Sequence, residues 1–158
     1  MKKELYGELR VIGMKGCERF VSQVDYYLKE WRHSNSEETF IVNHECPRFG
    51  TGEAKCVIHE TLRGDDVYII TDCFNYSVTY KMYGMEVPMS PDDHYCGLKR
   101  AIAAIAGKAR RITVIMLMLY EGRQHKRSAR DGGSCHDICP AHRQRHGTRA
   151  HNPCPRSR

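Results

Sequence analysis

The feature that most constrains the fold is a continuous apolar run, Ile112 to Tyr120, inside the stretch RITVIMLMLYEGRQHKRSAR at 111–130. A run of this length and character fits a strand buried on both faces of a parallel sheet. The chain then turns abruptly polar through Glu121, Gly122, Arg123, Gln124, His125, Lys126 and Arg127. In open α/β sheets the ligand crevice lies just beyond the carboxyl ends of the strands. Arg, Gln and Lys clustered there are placed to meet an anion or the edge of a base.

The residues upstream read as the scaffold for that corner. Leu9 to Ile12 is a short apolar run ending at Gly13, a first strand. Gly16 opens a helical pattern, with Phe20, Val21, Val24, Tyr27, Leu28 and Trp31 on one face and a break at His33-Ser34-Asn35-Ser36. Thr39 to Val42 predicts a short second strand, Lys55 to Glu60 a strand paired with its neighbour, and Val67 to Thr71 a compact strand ending at Asp72. Residues 73–89 carry Tyr76, Tyr80, Met82, Tyr83, Met85 and Met89 without a clean period. They read as a long surface loop with one helical turn, packed on the sheet or forming a subunit contact. Ser90-Pro91-Asp92-Asp93 is a helix start: a cap, proline at the first helical position, then acids over the dipole. Tyr95, Leu98, Ile102 and Ile105 share a stripe, and Gly107 is a natural stop. Strand, helix, strand predicts an α/β fold, a mostly parallel sheet flanked by helices with right-handed crossovers.

Composition narrows the class. The 158 residues suffice for one domain with a core, and 41% hydrophobic with 28% charged residues is ordinary for a globular chain. No run of about 18 apolar residues occurs, so no membrane span is expected. The N-terminus lacks an apolar stretch of signal-peptide length, and a cytoplasmic location is expected. Eight irregularly spaced cysteines then read as reduced, with Cys17, Cys56 and Cys73 as buried thiols.

The net charge of +6 is uneven: residues 131–158 hold five arginines and two aspartates, while 1–130 is nearly balanced. Residues 131–158 contain one large aliphatic residue, Ile138, and no aromatic, so a basic, disordered tail is expected. Its Cys135, His136, Cys139, His142, His146 and Cys154 match only the first half of a zinc spacing, and no metal site is assigned. Its arginines read as solvated charge, not as a nucleic-acid contact.

Three stretches carry a family resemblance. RFGTGEAKCVIHETLRGDDVYIIT (48–71), LKRAIAAIAGKARRITVIM (98–116) and GRQHKRSAR (122–130) follow one another with the order and spacing of the N-terminal half of ribose-phosphate pyrophosphokinase, also called phosphoribosyl pyrophosphate synthetase. The resemblance covers roughly residues 5–130, read as an N-terminal domain of phosphoribosyltransferase-like fold at 1–130, followed by the tail at 131–158. It implies a family that transfers a pyrophosphoryl group from ATP to the 1-hydroxyl of ribose 5-phosphate, using Mg2+. It also implies that Arg123 and Gln124 contact the adenine and phosphate region of ATP. Phe49, Thr51 and Glu53 would complete the adenine pocket from a neighbouring subunit of a homo-oligomer. Phe stacks on a base, Glu accepts from an exocyclic amine, and Arg stacks or pairs with phosphate. No Walker-type glycine loop with Lys-Ser/Thr occurs, which excludes ATP binding of the P-loop kind.

The sequence departs from the family pattern in places. Thr51 stands where the family has Asp or Asn, and His125 where it has Asp. After Arg130 the family continues into a helix, a strand, an Asp-x-His segment for Mg2+ and a second domain; none of these is expected in residues 131–158, which read as an out-of-frame or otherwise aberrant end. No catalytic residue and no Mg2+ ligand is therefore assigned. Two function classes stay open: the N-terminal half of the enzyme, expected to be inactive alone, or a non-catalytic regulatory or binding module of the same fold.

Overall fold

The computed structural model describes residues 7–33, 38–105, 107–123 and 149–150. In chain order its elements are β1 (Leu9–Gly13), α1 (Glu18–Arg32), β2 (His44–Glu45), β3 (Val57–Ile58), β4 (Asp66–Thr71), β5 (Thr79–Met82), β6 (Met85–Pro88), α2 (Pro91–Ile105), β7 (Arg111–Met116) and β8 (Arg149–Ala150). Strands β1, β4, β7 and β8 form one parallel sheet in that order, while β2-β3 and β5-β6 are small antiparallel pairs. The α/β class and the parallel sheet expected from the sequence are thus present. Of residues 131–158, read as the tail, the structure describes only Arg149–Ala150, paired beside Thr113 and Val114.

Alternation along the strands sends side chains to two faces. On one face Ile12, Val67, Ile69, Ile112 and Val114 pack with Leu98, Ala101 and Ile105 of α2. On the other, Val11 and Ile70 pack with Cys17 and with Val21 of α1. Gly13 sits where α1 comes closest, since a Cβ there would lie 2.7 Å from Val21. At the amino edge Asp66 on β4 accepts from Arg111 Nε on β7 at 2.7 Å and from its Nη2 as well, which pins the strand starts in register.

Helix α2 starts where its sequence says it should. Ser90 Oγ accepts the Asp93 N–H at 3.1 Å, while the Asp93 carboxylate accepts the Ser90 N–H at 3.0 Å, a reciprocal capping box around Pro91. Gly107 takes φ +65 after the helix, as a terminal glycine should. Its buried stripe is His94, Leu98, Ala101 and Ile105; Tyr95 and Ile102 from the expected stripe are only partly buried.

Four expectations need correction. The strand expected over Ile112–Tyr120 ends at Met116, because its partner β4 ends at Thr71 and only the Leu117 N–H to Thr71 carbonyl bond continues the ladder. Leu117 and Met118 are consequently 46% and 56% exposed. The face of α1 is rotated: Val21 and Asp25 are buried, whereas Phe20, Tyr27 and Trp31 face solvent. Asp25 turns inward because it accepts the Phe40 N–H at 2.8 Å and the Thr39 hydroxyl at 3.2 Å, tying α1 to the segment beside β1. That segment, Thr39–Val42, makes a single parallel bridge, Val11 with Ile41. Residues 79–88 are a hairpin rather than a loop with a helical turn, closed by Tyr83 and Gly84 at φ 49 and 81. Both central residues at positive φ make the tight turn whose twist suits a hairpin.

Candidate functional site at the carboxyl edge of the sheet

The loop between β2 and β3 leaves and re-enters as an extension of their ladder. Arg48 bridges Ala54, the Phe49 N–H reaches the Glu53 carbonyl at 2.7 Å, and the Gly52 N–H reaches the Phe49 carbonyl at 2.9 Å. Gly52 takes φ +91, the left-handed conformation that a side chain would strain. This tight turn presents Phe49, Thr51 and Glu53 outward, with all three exposed. Thr51 Oγ1 donates to Glu53 Oε2 at 3.3 Å.

Arg48 holds the turn to the rest of the domain. Its side chain is 8% exposed and pairs with Asp93 Oδ1 at 2.8 Å. The same Nη1 donates to the Gly52 carbonyl at 3.1 Å, and the guanidinium lies 4.3 Å over the Tyr80 ring. Burial alone would push the Asp93 carboxyl up, but the Arg48 and Ser90 hydrogen bonds outweigh it and hold it below the ordinary value.

The loop after β7 hangs from the same place. Tyr120 donates to Asp92 and stacks on Tyr95 with ring centroids 4.4 Å apart. The bond to Asp92 raises the Tyr120 phenol above its usual range, so it remains a donor at neutral pH. Glu121 then takes φ 57, the Gly122 N–H closes on the Leu119 carbonyl at 3.0 Å, and Arg123 follows at the surface. The first turn of α2 therefore anchors both loops, Asp92 holding one and Asp93 the other.

Beside these anchors lies a small cavity of about 30 Å³, room for a water-sized group. Lys15, Arg48, Lys55, His94 and Arg100 line it, and no carboxylate does. The ring of His94 is fixed, with Nε2 3.0 Å from the Asn75 carbonyl, which accepts its proton. Among the described residues no group of three His, Cys, Asp or Glu is arranged to hold a metal ion.

Of the site residues read from the sequence, Phe49, Thr51 and Glu53 share one turn and Arg123 ends another; Gln124 lies outside the described residues, as does His125. Sequence reasoning missed Arg48, Asp92, Asp93 and Tyr120 as the parts that position these turns. Arg48 stood in the quoted motif, but its partner is 45 residues away. Asp92 and Asp93 read only as helix-start acids.

Comparison with known proteins agrees with this architecture. A family model for the N-terminal domain of ribose phosphate pyrophosphokinase matches residues 9–138. A crystal structure of phosphoribosylpyrophosphate synthetase from Mycobacterium smegmatis superposes with a TM-score of 0.56 at 18% identity. That superposition covers 78% of this chain and 35% of the other, and at this identity it speaks for the fold. No curated protein matches the chain in sequence. Among the described residues no helix is long and apolar enough to cross a membrane. With the parallel sheet, the two loops hung on α2 and a family match over most of its length, the chain belongs to the ribose phosphate pyrophosphokinase family through that enzyme's N-terminal domain.

Proposed function

We propose that this chain supplies the ATP-binding side of a ribose-phosphate pyrophosphokinase, the cytoplasmic enzyme of nucleotide biosynthesis that moves pyrophosphate from ATP to ribose 5-phosphate. The observation that carries this reading is the common anchor: Asp93 through Arg48 and Asp92 through Tyr120 fix both candidate loops at the carboxyl edge, where ligands of open α/β sheets bind. In this reading Phe49 stacks on adenine, Glu53 accepts from its exocyclic amine, and Thr51 orients Glu53 through their hydrogen bond. Arg123 and Gln124 meet the adenine and phosphate region of a nucleotide, with the turn at 49–53 presented to a neighbouring subunit. Pyrophosphoryl transfer depends on positioning and charge neutralisation more than on a protein nucleophile. Lys15, Lys55 and Arg100 line the cavity beside the site and add positive potential there. Mg2+ would arrive on the triphosphate, whose oxygens suit it.

Titration calorimetry with a non-hydrolysable ATP analogue tests the binding half of the proposal. Arg123→Ala should weaken affinity by about 1.5–3 kcal/mol, the usual worth of a charge-assisted hydrogen bond. An unchanged affinity would remove Arg123 from the site. A coupled assay for phosphoribosyl pyrophosphate tests catalysis: no turnover is expected of this chain alone, and detectable turnover would overturn the reading of it as an inactive half and exclude the non-catalytic module.

A further inference from the structure

The ladder of β2 and β3 extends beyond its two named pairs. His44 faces Ile58 and Glu45 faces Val57; the next positions in that register are Cys46 and Cys56. The flanking backbone bonds, Lys55 N–H to Pro47 carbonyl at 3.1 Å and His59 N–H to Asn43 carbonyl at 3.0 Å, mark 47/55 and 43/59 as hydrogen-bonded positions. Alternation makes Cys46/Cys56 a non-hydrogen-bonded pair, the kind in which opposite Cα atoms come within about 4.5 Å. That spacing falls at the short end of the range a disulfide spans, about 4.4–6.8 Å. The two sulfurs lie 3.0 Å apart, and both side chains are partly exposed; Cys56 thus departs from the expected burial, which Cys17 and Cys73 do show.

We propose that Cys46 and Cys56 are a reversible dithiol/disulfide site that clasps the base of the 47–55 turn. The oxidant is a low-molecular-weight disulfide such as oxidised glutathione. The Cys56 thiolate attacks one of its sulfurs, breaking that S–S bond and releasing one small thiolate. Cys46, deprotonated, then attacks the Cys56 sulfur of the mixed disulfide, forming the protein S–S bond and releasing the second small thiolate. Two electrons pass from the protein to the small disulfide, and the two protons end on its thiols. Cys56 is suited to the first step because the Cys46 S–H donates to it and lowers its pKa; the same bond raises that of Cys46. Exposed cross-strand disulfides belong to the labile, regulatory class rather than the structural one. Any effect on nucleotide binding rests on the function proposed above, since Phe49, Thr51 and Glu53 lie inside the clasp; the linkage itself does not.

The full chain is equilibrated with oxidised and reduced glutathione, its remaining thiols are alkylated, and it is cut with trypsin without reduction. Arg48 and Lys55 lie between the two cysteines, so peptides 33–48 and 56–63 stay together only through a disulfide. The expected result is that linked pair, with Cys46 and Cys56 losing alkylation together and regaining it with dithiothreitol. Cys96→Ser should retain the link, and Cys56→Ser should lose it. Separate peptides carrying alkylated or glutathionylated Cys46 and Cys56 would overturn the proposal, as would cross-links to other cysteines in equal yield. The wild-type map decides even where a variant fails to fold.

Discussion

The two faces of the central sheet are built to different standards. The α2 face takes side chains from β1, β4 and β7 and closes over them, from Ile12 and Ile69 at 0% exposure to Val114 at 6%. The α1 face is covered less evenly, with Thr113 of β7 buried but Ile115 open. Gly13, Ile70 and Ile115 occupy one row of the register, yet Ile70 is 2% exposed while Ile115 is 37% exposed. The helices differ in the same sense: α2 begins with a reciprocal cap, whereas Cys17 caps α1 with no side-chain bond. The face that closes is also the face whose helix carries both loop anchors. Both candidate loops are therefore anchored on the better-packed half of the domain.

Leu98→Ala should break that half. It is fully buried, and a Leu-to-Ala change in a closed core costs about 2–5 kcal/mol, read by urea denaturation. Val21→Ala, on the α1 face, removes less apolar surface and should cost roughly 1.5 kcal/mol, at about 0.8 kcal/mol per methylene. Equal losses would erase the distinction between the faces. Ser90→Ala removes the cap and should cost about 1 kcal/mol.

Acid tests the anchor itself. The Asp93 carboxyl is held below its unfolded value, so its stabilisation is complete above the ordinary carboxylate range and is lost as pH falls through the lowered folded value. Asp93→Asn should therefore flatten the acid limb of a stability-against-pH curve while changing its neutral slope little. A limb unchanged by this substitution would mean the Arg48 contact contributes nothing to folding. The smallest effect is expected at the open end of the α1 face, where Ile115→Thr should shift stability by no more than about 0.5 kcal/mol.

How much of this was legible varied with the range of the interaction that decided it. Strands β1, β4 and β7 and the start of α2 were readable because apolar runs, Ser90-Pro91 and Asp93 act on their own neighbours. The face of α1 was not, because apolar spacing placed Phe20 and Trp31 inward, while the bonds from Thr39 and Phe40 to Asp25 turned the helix. The hairpin at 79–88 hid because Tyr83-Gly84 is a weaker turn signal than Asn-Gly. Phe49, Thr51, Glu53 and Arg123 were named from motif likeness; what holds their loops, Arg48 on Asp93 and Tyr120 on Asp92, was not.

Local chemistry along the chain was enough to set the class of fold and the central series β1, α1, β4, α2 and β7, since hydrophobic period and capping are short-range. Which face of α1 is buried, where β7 stops, and that one helix turn anchors two loops were settled only in three dimensions. Each depends on groups 14 to 46 residues apart, from Asp25 with Thr39 to Thr71 with Leu117, and no short-range pattern encodes a partner at that distance.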